Sequence, residues 1–158
     1  MKRGKGKYML IYFLVLFIQI FDNVLSCPAS IPTISYVSYC PRSQAEWEKA
    51  AQRKNCESIA VIQNCTTRSK FQYHCLMNQW KNATLEVCAP IFYLQGYCAE
   101  YNVEIQQVAE IYDKGFECLK FPDIHKCPPR YPSSEAYKYQ RCYRNIIKNL
   151  STKKFTNR

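Results

Sequence analysis

The chain opens with a basic stretch, Lys2, Arg3, Lys5 and Lys7, and is then apolar from Tyr8 to Phe21 except at Gln19. A run of about 14 residues is shorter than the roughly 20 that cross a bilayer as a helix, and Val24-Leu25-Ser26 supplies a cleavage site. Residues 1–26 therefore have the layout of a secretory signal peptide. An uncleaved anchor would need a longer apolar core, and lipidation of Cys27 would strand one of the other nine cysteines.

Beyond Cys27 the pattern predicts helices bracketing a strand-like middle. Ser43 and Glu46 have capping-box spacing after Pro41-Arg42, which starts a helix running to about Lys54. In it Trp47, Ala50 and Ala51 share one face, with Glu48, Lys49, Gln52 and Arg53 away from it. Phe71–Cys75, Leu85–Cys88 and Ile91–Cys98 are short, aromatic and β-branched, and bounded by Asn, Pro or Gly, as strands are. Tyr101, Ile105, Val108 and Tyr112 follow a helical stripe and predict a further helix ending before Asp113-Lys114-Gly115. Phe121-Pro122, Pro128-Pro129 and Pro132 disfavour regular structure from Lys114 to Pro132, a loop tied down by Cys118 and Cys127. Ser133 and Ser134 are cap residues for a last helix reaching Leu150. Tyr139, Cys142, Tyr143, Ile146, Ile147 and Leu150 form its apolar arc, and Lys138, Arg141, Arg144 and Lys148 lie opposite. The expected architecture is α+β: a small disulfide-rich domain over residues 27–150, N-terminal and C-terminal helices around short antiparallel strands, then a basic tail, 151–158.

Cysteine usage sharpens this picture. The 132 residues after the signal peptide hold all ten cysteines, 27, 40, 56, 65, 75, 88, 98, 118, 127 and 142, or 7.6%. An even count in an exported chain predicts five intrachain bridges. The closest pairs are nine positions apart, whereas zinc ribbons and thioredoxin-like sites need two sulfurs within one turn. No metal or other cofactor is expected. Only Gly96 and Gly115 follow the signal peptide, too few for a phosphate-cradling loop or for the tight turns of EGF-like modules. Eleven tyrosines remain there, suited to a thin core or a contact surface.

Charge is unevenly placed. Residues 27–135 carry eleven bases and eleven acids, whereas 136–158 carry seven bases and no acid. A basic amphipathic helix can leave its polar face solvated, or bind an acidic glycan, an acidic extracellular protein or an anionic membrane surface. Lys138, Arg141, Arg144 and Lys148 are the anion-binding candidates. Nucleic acid is not an expected partner of an exported domain. Three sequons, at Asn64, Asn82 and Asn149, suit a glycosylating export pathway, Asn82 best because it sits in a polar turn after Trp80.

Catalytic chemistry finds little support. His74 lies beside Cys75 in an expected strand and His125 in the Pro-rich loop, neither within a Ser, Cys or carboxylate motif. Secreted phospholipases have a similar size and cysteine content, but their His-Asp pair is absent: Cys75-Leu76 follows His74. The motif contexts of pancreatic-type ribonucleases are missing too. His74 is expected to be a structural or edge-strand residue. The expected function is binding or recognition without catalysis; a membrane-active or antimicrobial effector using the basic helix is the alternative, and a small secreted hydrolase a more distant one.

Several blocks carry a resemblance: Tyr39-Cys40-Pro41, Glu46-Trp47 with Ala50-Ala51 and Lys54-Asn55-Cys56, Tyr73-His74-Cys75, Leu85 to Pro90, Gly96 to Asn102, and Ser133 to Gln140. Across most of residues 36–143 the chain resembles a cysteine-rich extracellular domain of uncharacterised bivalve-mollusc proteins. The resemblance implies no activity, only a context of signal peptide, this domain and often a membrane span. Only Ser151 to Arg158 follow Leu150, so a secreted form is the expectation here.

Overall fold

Helix α1 (Gln44–Lys54) starts where its capping residues place it. The Ser43 hydroxyl accepts from the Glu46 amide at 3.2 Å, and the Glu46 carboxylate accepts from the Arg42 amide at 2.7 Å, one residue beyond the usual box partner. The helix stops at Asn55, which adopts the left-handed region at φ 52° and donates its amide to Ala51 O at 2.9 Å. A short second helix, α2 (Cys56–Ala60), follows at once. Ala50 is buried, Trp47 and Ala51 are half-buried, and Glu48, Lys49, Gln52 and Arg53 are exposed, as the sequence pattern predicts. These elements belong to a computed structural model that describes residues 26–144 and residue 146. Residues 1–25 of the expected signal peptide, Ile147, Lys148, Asn149 and Leu150 of the expected last helix, and the tail 151–158 lie outside the described residues.

The core of the fold is a hairpin of β2 (Phe71–Asn78) and β3 (Thr84–Pro90), paired antiparallel from Phe71↔Pro90 to Met77↔Thr84. Asn78 closes its turn by accepting from the amides of Asn82 and Ala83 at 3.1 and 3.3 Å. Strand β1 (Ser35–Val37) adds antiparallel to β3. On the other side β5 (Ala99–Asn102) runs parallel to β2, touching it only at Met77↔Glu100 and Asn78↔Tyr101. Strand β6 (Gln107–Glu110) pairs antiparallel with β5, giving the order β1-β3-β2-β5-β6. The expected all-antiparallel arrangement is thus corrected to a mixed sheet. Tyr73, Cys75 and Met77 face one side with their partners Cys88, Glu86 and Thr84; His74 and Leu76 face the other with Val87 and Leu85. Leu76, Leu85, Val87 and Tyr101 are fully buried.

Three further expectations are corrected. Residues 101–112 form no helix: Asn102 Oδ1 accepts from the amides of Glu104 and Ile105 at 2.9 and 3.2 Å, Gln106 turns left-handed at φ 57°, and the chain returns as β6. Tyr101 and Val108 then meet as buried cross-strand partners, while Ile105 and Tyr112, counted in the helical stripe, are exposed. Within Ile91–Cys98 only β4 (Tyr93–Leu94) is a strand, paired with β7 (Tyr131–Pro132) in a separate sheet. Gly96, at φ 85°, breaks it.

The last element departs from an α-helix in its described part. Ser133–Lys138 and Gln140–Tyr143 are 3-10 segments separated at Tyr139. Burial repeats every three residues there: Ser133, Ala136 and Cys142 are buried, as are Ser134, Tyr137 and Tyr143, whereas Lys138 and Arg144 are exposed. A three-residue repeat stacks i over i+3, the geometry of a 3-10 helix, and it buries two rows of side chains where an α-helix would bury one stripe.

All ten cysteines are paired, as Cys27–Cys65, Cys40–Cys75, Cys56–Cys88, Cys98–Cys142 and Cys118–Cys127. The first three staple residues 27–88 and the last two staple 98–142, so no bridge crosses from one half to the other. Phe92 and Tyr93, 41% and 45% exposed, lie in the only uncrossed segment between them. Chymotryptic cleavage there is expected to leave a noncovalent complex that separates into two fragments under denaturing, non-reducing conditions. A nicked chain that stays joined until reductant is added would refute this pairing.

Candidate functional site

Grooves run along both sides of α1. The larger, about 790 Å³, lies between the helix and the start of β2, with Trp47, Phe71 and Tyr73 along it and Glu48 and Glu57 among its polar residues. Trp47 meets Tyr73 edge-on at 5.6 Å and stacks on Tyr137 at 5.8 Å, so this floor is a packed aromatic cluster. The second, about 510 Å³, lies between the helix and β1, lined by Tyr36, Tyr39, Lys49, Arg53 and Glu86.

The second groove concentrates unusual residues. Glu86 sits in the apolar strand β3 between Leu85 and Val87, and its side chain is only 8% exposed. Its Oε1 accepts from Arg53 Nη2 at 2.7 Å and from the Tyr73 hydroxyl at 2.9 Å. A carboxylate in this position needs such partners, since an unpaired buried charge costs several kcal/mol. Burial, and then the adjacent Glu86 carboxylate, hold the Tyr73 phenol well above its usual range. At the rim Lys54 Nζ donates to Ser35 Oγ at 2.7 Å, and half-burial lowers the pKa of this amine.

Tyr36 and Tyr39 line the β1 side of the groove, 59% and 64% exposed, Tyr36 opposite Leu85 in register. The Arg42 guanidinium lies 5.8 Å from the Tyr39 ring centre. Disulfides fix both walls: Cys40, beside Tyr39, is bonded to Cys75 in β2, and Cys56, at the end of α1, to Cys88 in β3. None of these groove residues stands out as a motif, although a lone acid inside an apolar strand and an exposed tyrosine pair at i, i+3 beside a cysteine are signals visible in the sequence.

The anion-binding candidates are placed differently. Lys138 is exposed and pairs with Glu135 at 2.9 Å, Arg141 covers the Phe121 ring at 5.1 Å, Arg144 is exposed, and Lys148 lies outside the described residues. Among the sequons, Asn64 and Asn82 are exposed and Asn149 lies outside the described residues.

His74 lies in the stretch of β2 that pairs with β3 but not with β5, and is completely buried, a structural residue as expected. Its Nδ1 is 2.9 Å from Gln72 O, which can only accept, so Nδ1 carries the proton in the neutral ring. Nε2 then accepts from the Ser133 hydroxyl at 2.8 Å, and Ser133 Oγ accepts from the Phe92 amide at 2.9 Å. Ser133 is therefore a buried partner of His74 and not a helix cap. The serine and imidazole have the spacing of a nucleophile and base, yet at 1% and 0% exposure neither meets solvent. His125 ends a 3-10 turn (Asp123–His125) in the loop. The chain matches no family model, no curated protein and no solved structure.

Burial lowers the His74 pKa from 6.5 to about 4. The unfolded chain therefore binds a proton between those values that the folded chain refuses. Stability from this group is fully present above pH 6.5 and is lost as pH falls toward 4, by about 3 kcal/mol on the usual linkage relation. Urea midpoints should drop accordingly on acidification, and His74→Gln should flatten that dependence even if it lowers stability at pH 7. Parallel pH profiles for the two proteins would show that His74 does not govern it.

Proposed function

We propose that this chain is an exported recognition domain that binds an extracellular protein or an acidic glycan and acts without catalysis. The observation that carries it is the groove between α1 and β1, whose lining joins two exposed tyrosines to the Arg53–Glu86 pair that the Tyr73 hydroxyl completes. Exposed rings on a rigid wall supply contact area at little conformational cost, and a hydrogen-bonded charge pair supplies direction. Sealing of the Ser133–His74 pair supports binding over hydrolysis, since a substrate would have no path to the hydroxyl. Five bridges give the stabilised framework of an extracellular-type domain, and among the described residues no helix is long and apolar enough to cross a membrane. The cysteine-rich extracellular domains of bivalves, which its sequence blocks resemble, are the group in which we place it.

Arrays of extracellular proteins and glycans, probed with the folded protein, are expected to return at least one ligand whose binding is lost when the disulfides are reduced. Release of vesicle contents, with no array ligand, would instead identify a membrane-active effector. A separate expectation concerns Asn82, whose side chain is exposed in the β2–β3 turn. Protein secreted from a eukaryotic host should shift in mass on treatment with a peptide N-glycosidase, and Asn82→Gln should remove most of the shift. An unmodified Asn82 peptide by mass spectrometry would contradict it.

A further inference from the structure

We propose that Trp80 is the docking platform for the first sugar of an N-linked glycan on Asn82, so that the glycan and the β2–β3 turn pack as one unit. The proposal rests on the Asn82 modification expected above and stands apart from the recognition role.

The turn fixes the direction from which Asn82 is modified. Asn78, only 2% exposed, accepts at Oδ1 from the amides of Asn82 and Ala83, groups that can only donate. Its Nδ2 is therefore the end that faces the Asn82 side chain, and it donates to Asn82 Oδ1 at 2.7 Å. With that oxygen held against a buried residue, Nδ2 of the exposed Asn82 is the end turned away from Asn78. In glycan transfer this nitrogen loses a proton and bonds to the anomeric carbon of a lipid-linked oligosaccharide, whose lipid diphosphate leaves. The hydrogen bond at Oδ1 survives the substitution. Thr84, which completes the sequon, is 2% exposed and its hydroxyl donates to Val37 O at 2.6 Å, so a transferase that reads this hydroxyl acts before β1 pairs with β3.

Trp80 stands in the same loop, which Asn78 N closes onto Ala83 O at 3.0 Å, and it is 58% exposed. It precedes Asn82 by two residues, so their Cα atoms are at most about 7 Å apart and a pyranose on Nδ2 begins within reach of the ring. Lys81 between them turns left-handed at φ 56°, and its ammonium is drawn to Glu100 and Asp113 at 3.7 and 3.1 Å. Other exposed aromatic rings have partners: Arg42 lies over Tyr39, Arg130 over Tyr93, and Tyr97 meets Tyr112 edge-on. Among the described residues no ring or cation packs on Trp80. An exposed indole offers a broad apolar face, and the C–H face of the first sugar is the apolar surface that modification of Asn82 brings to it.

Secreted protein carrying Asn64→Gln/Asn149→Gln, with Asn82 in its one remaining sequon, tests the proposal. Trimming the glycan to a single N-acetylglucosamine should leave the thermal midpoint in place. Complete removal with a peptide N-glycosidase should lower it by about 2–6 °C, the shift expected of a contact as strong as an aromatic pair in a domain of this size. In Trp80→Ala the same removal should change the midpoint little, and Trp80→Tyr should restore most of the difference. Nuclear Overhauser contacts should join the Trp80 indole protons to the first sugar. An equal loss on removal in the parent and in Trp80→Ala overturns the docking, as does the absence of those contacts when mass spectrometry finds Asn82 occupied; either result leaves the modification standing. An unoccupied Asn82 refutes both. None of these outcomes bears on the recognition role, which the arrays decide.

Discussion

Six of the eight residues of strand β2 have no strand on their outer edge, and the way that edge is covered organises the rest of the molecule. β2 is paired along its length with β3 but meets β5 only at Met77 and Asn78, so its first six residues would present open backbone groups to solvent or to another chain. Ser133–Tyr143 packs along β2 instead, and the Tyr143 hydroxyl donates to Cys75 O at 3.0 Å. His74 extends the cover by accepting from Ser133, and Ser133 accepts from Phe92 at the start of the second half. A segment wedged between a sheet edge and its neighbours is buried on more than one side. That demand is met by a three-residue repeat and not by the single stripe of an amphipathic α-helix.

The covalent framework makes this cover decisive. Taken singly, the four bridges closing 32 to 44 residues each restrict the unfolded chain by roughly 4 kcal/mol on the loop-entropy model, and the nine-residue Cys118–Cys127 loop by about 3. They stabilise each half but place no constraint on how the halves meet. The junction is left to the short parallel pairing of β2 with β5, the His74–Ser133–Phe92 chain, the Trp47–Tyr137 stack, and hydrogen bonds such as Cys27 N to Gln106 O at 2.9 Å and Gln140 to Pro41 O at 2.9 Å. Two of those groups, His74 and Ser133, are polar and completely enclosed, so this junction depends on mutual satisfaction of donors and acceptors as well as on apolar burial.

What was legible in the sequence follows from the range of each interaction. Helix α1 is encoded locally, by Ser43 and Glu46, and strands β2 and β3 by short aromatic and β-branched runs, so the helix and the existence of both strands are read correctly, though each strand is longer than read and their pairing as a hairpin is not read. Residues 101–112 mislead because Tyr101 and Val108 are compatible with a helical stripe and with a cross-strand pair, and only the turn at Asn102–Gln106 distinguishes the two. The C-terminal segment misleads for a long-range reason: its conformation answers to an unpaired edge of β2 that no window of sequence contains. The groove is the least legible. Glu86 gains its meaning from Arg53, 33 positions earlier, and from Tyr73, 13 positions earlier, and no spacing rule connects them.

The groove gains its rigidity from the same elements that hold the first half together. Cys40 and Cys56 bracket α1, and their partners Cys75 and Cys88 lie on the same face of neighbouring strands, so the helix is fastened to the sheet at both ends. Between those anchor points Glu86 opposes Cys75 in register, which sets the carboxylate beneath the helix where Arg53 can reach it. Strand β1 is then positioned by pairing with that same stretch of β3, Ser35 opposite Glu86 and Tyr36 opposite Leu85. Strand β1, the charge pair and the helix are thus all referenced to one segment of β3, while the Trp47–Tyr137 stack and the Gln140–Pro41 hydrogen bond tie α1 and the start of the groove to the second half as well. A ligand entering this groove would meet groups already fixed in place, and the cost of ordering them would have been met on folding and not on binding.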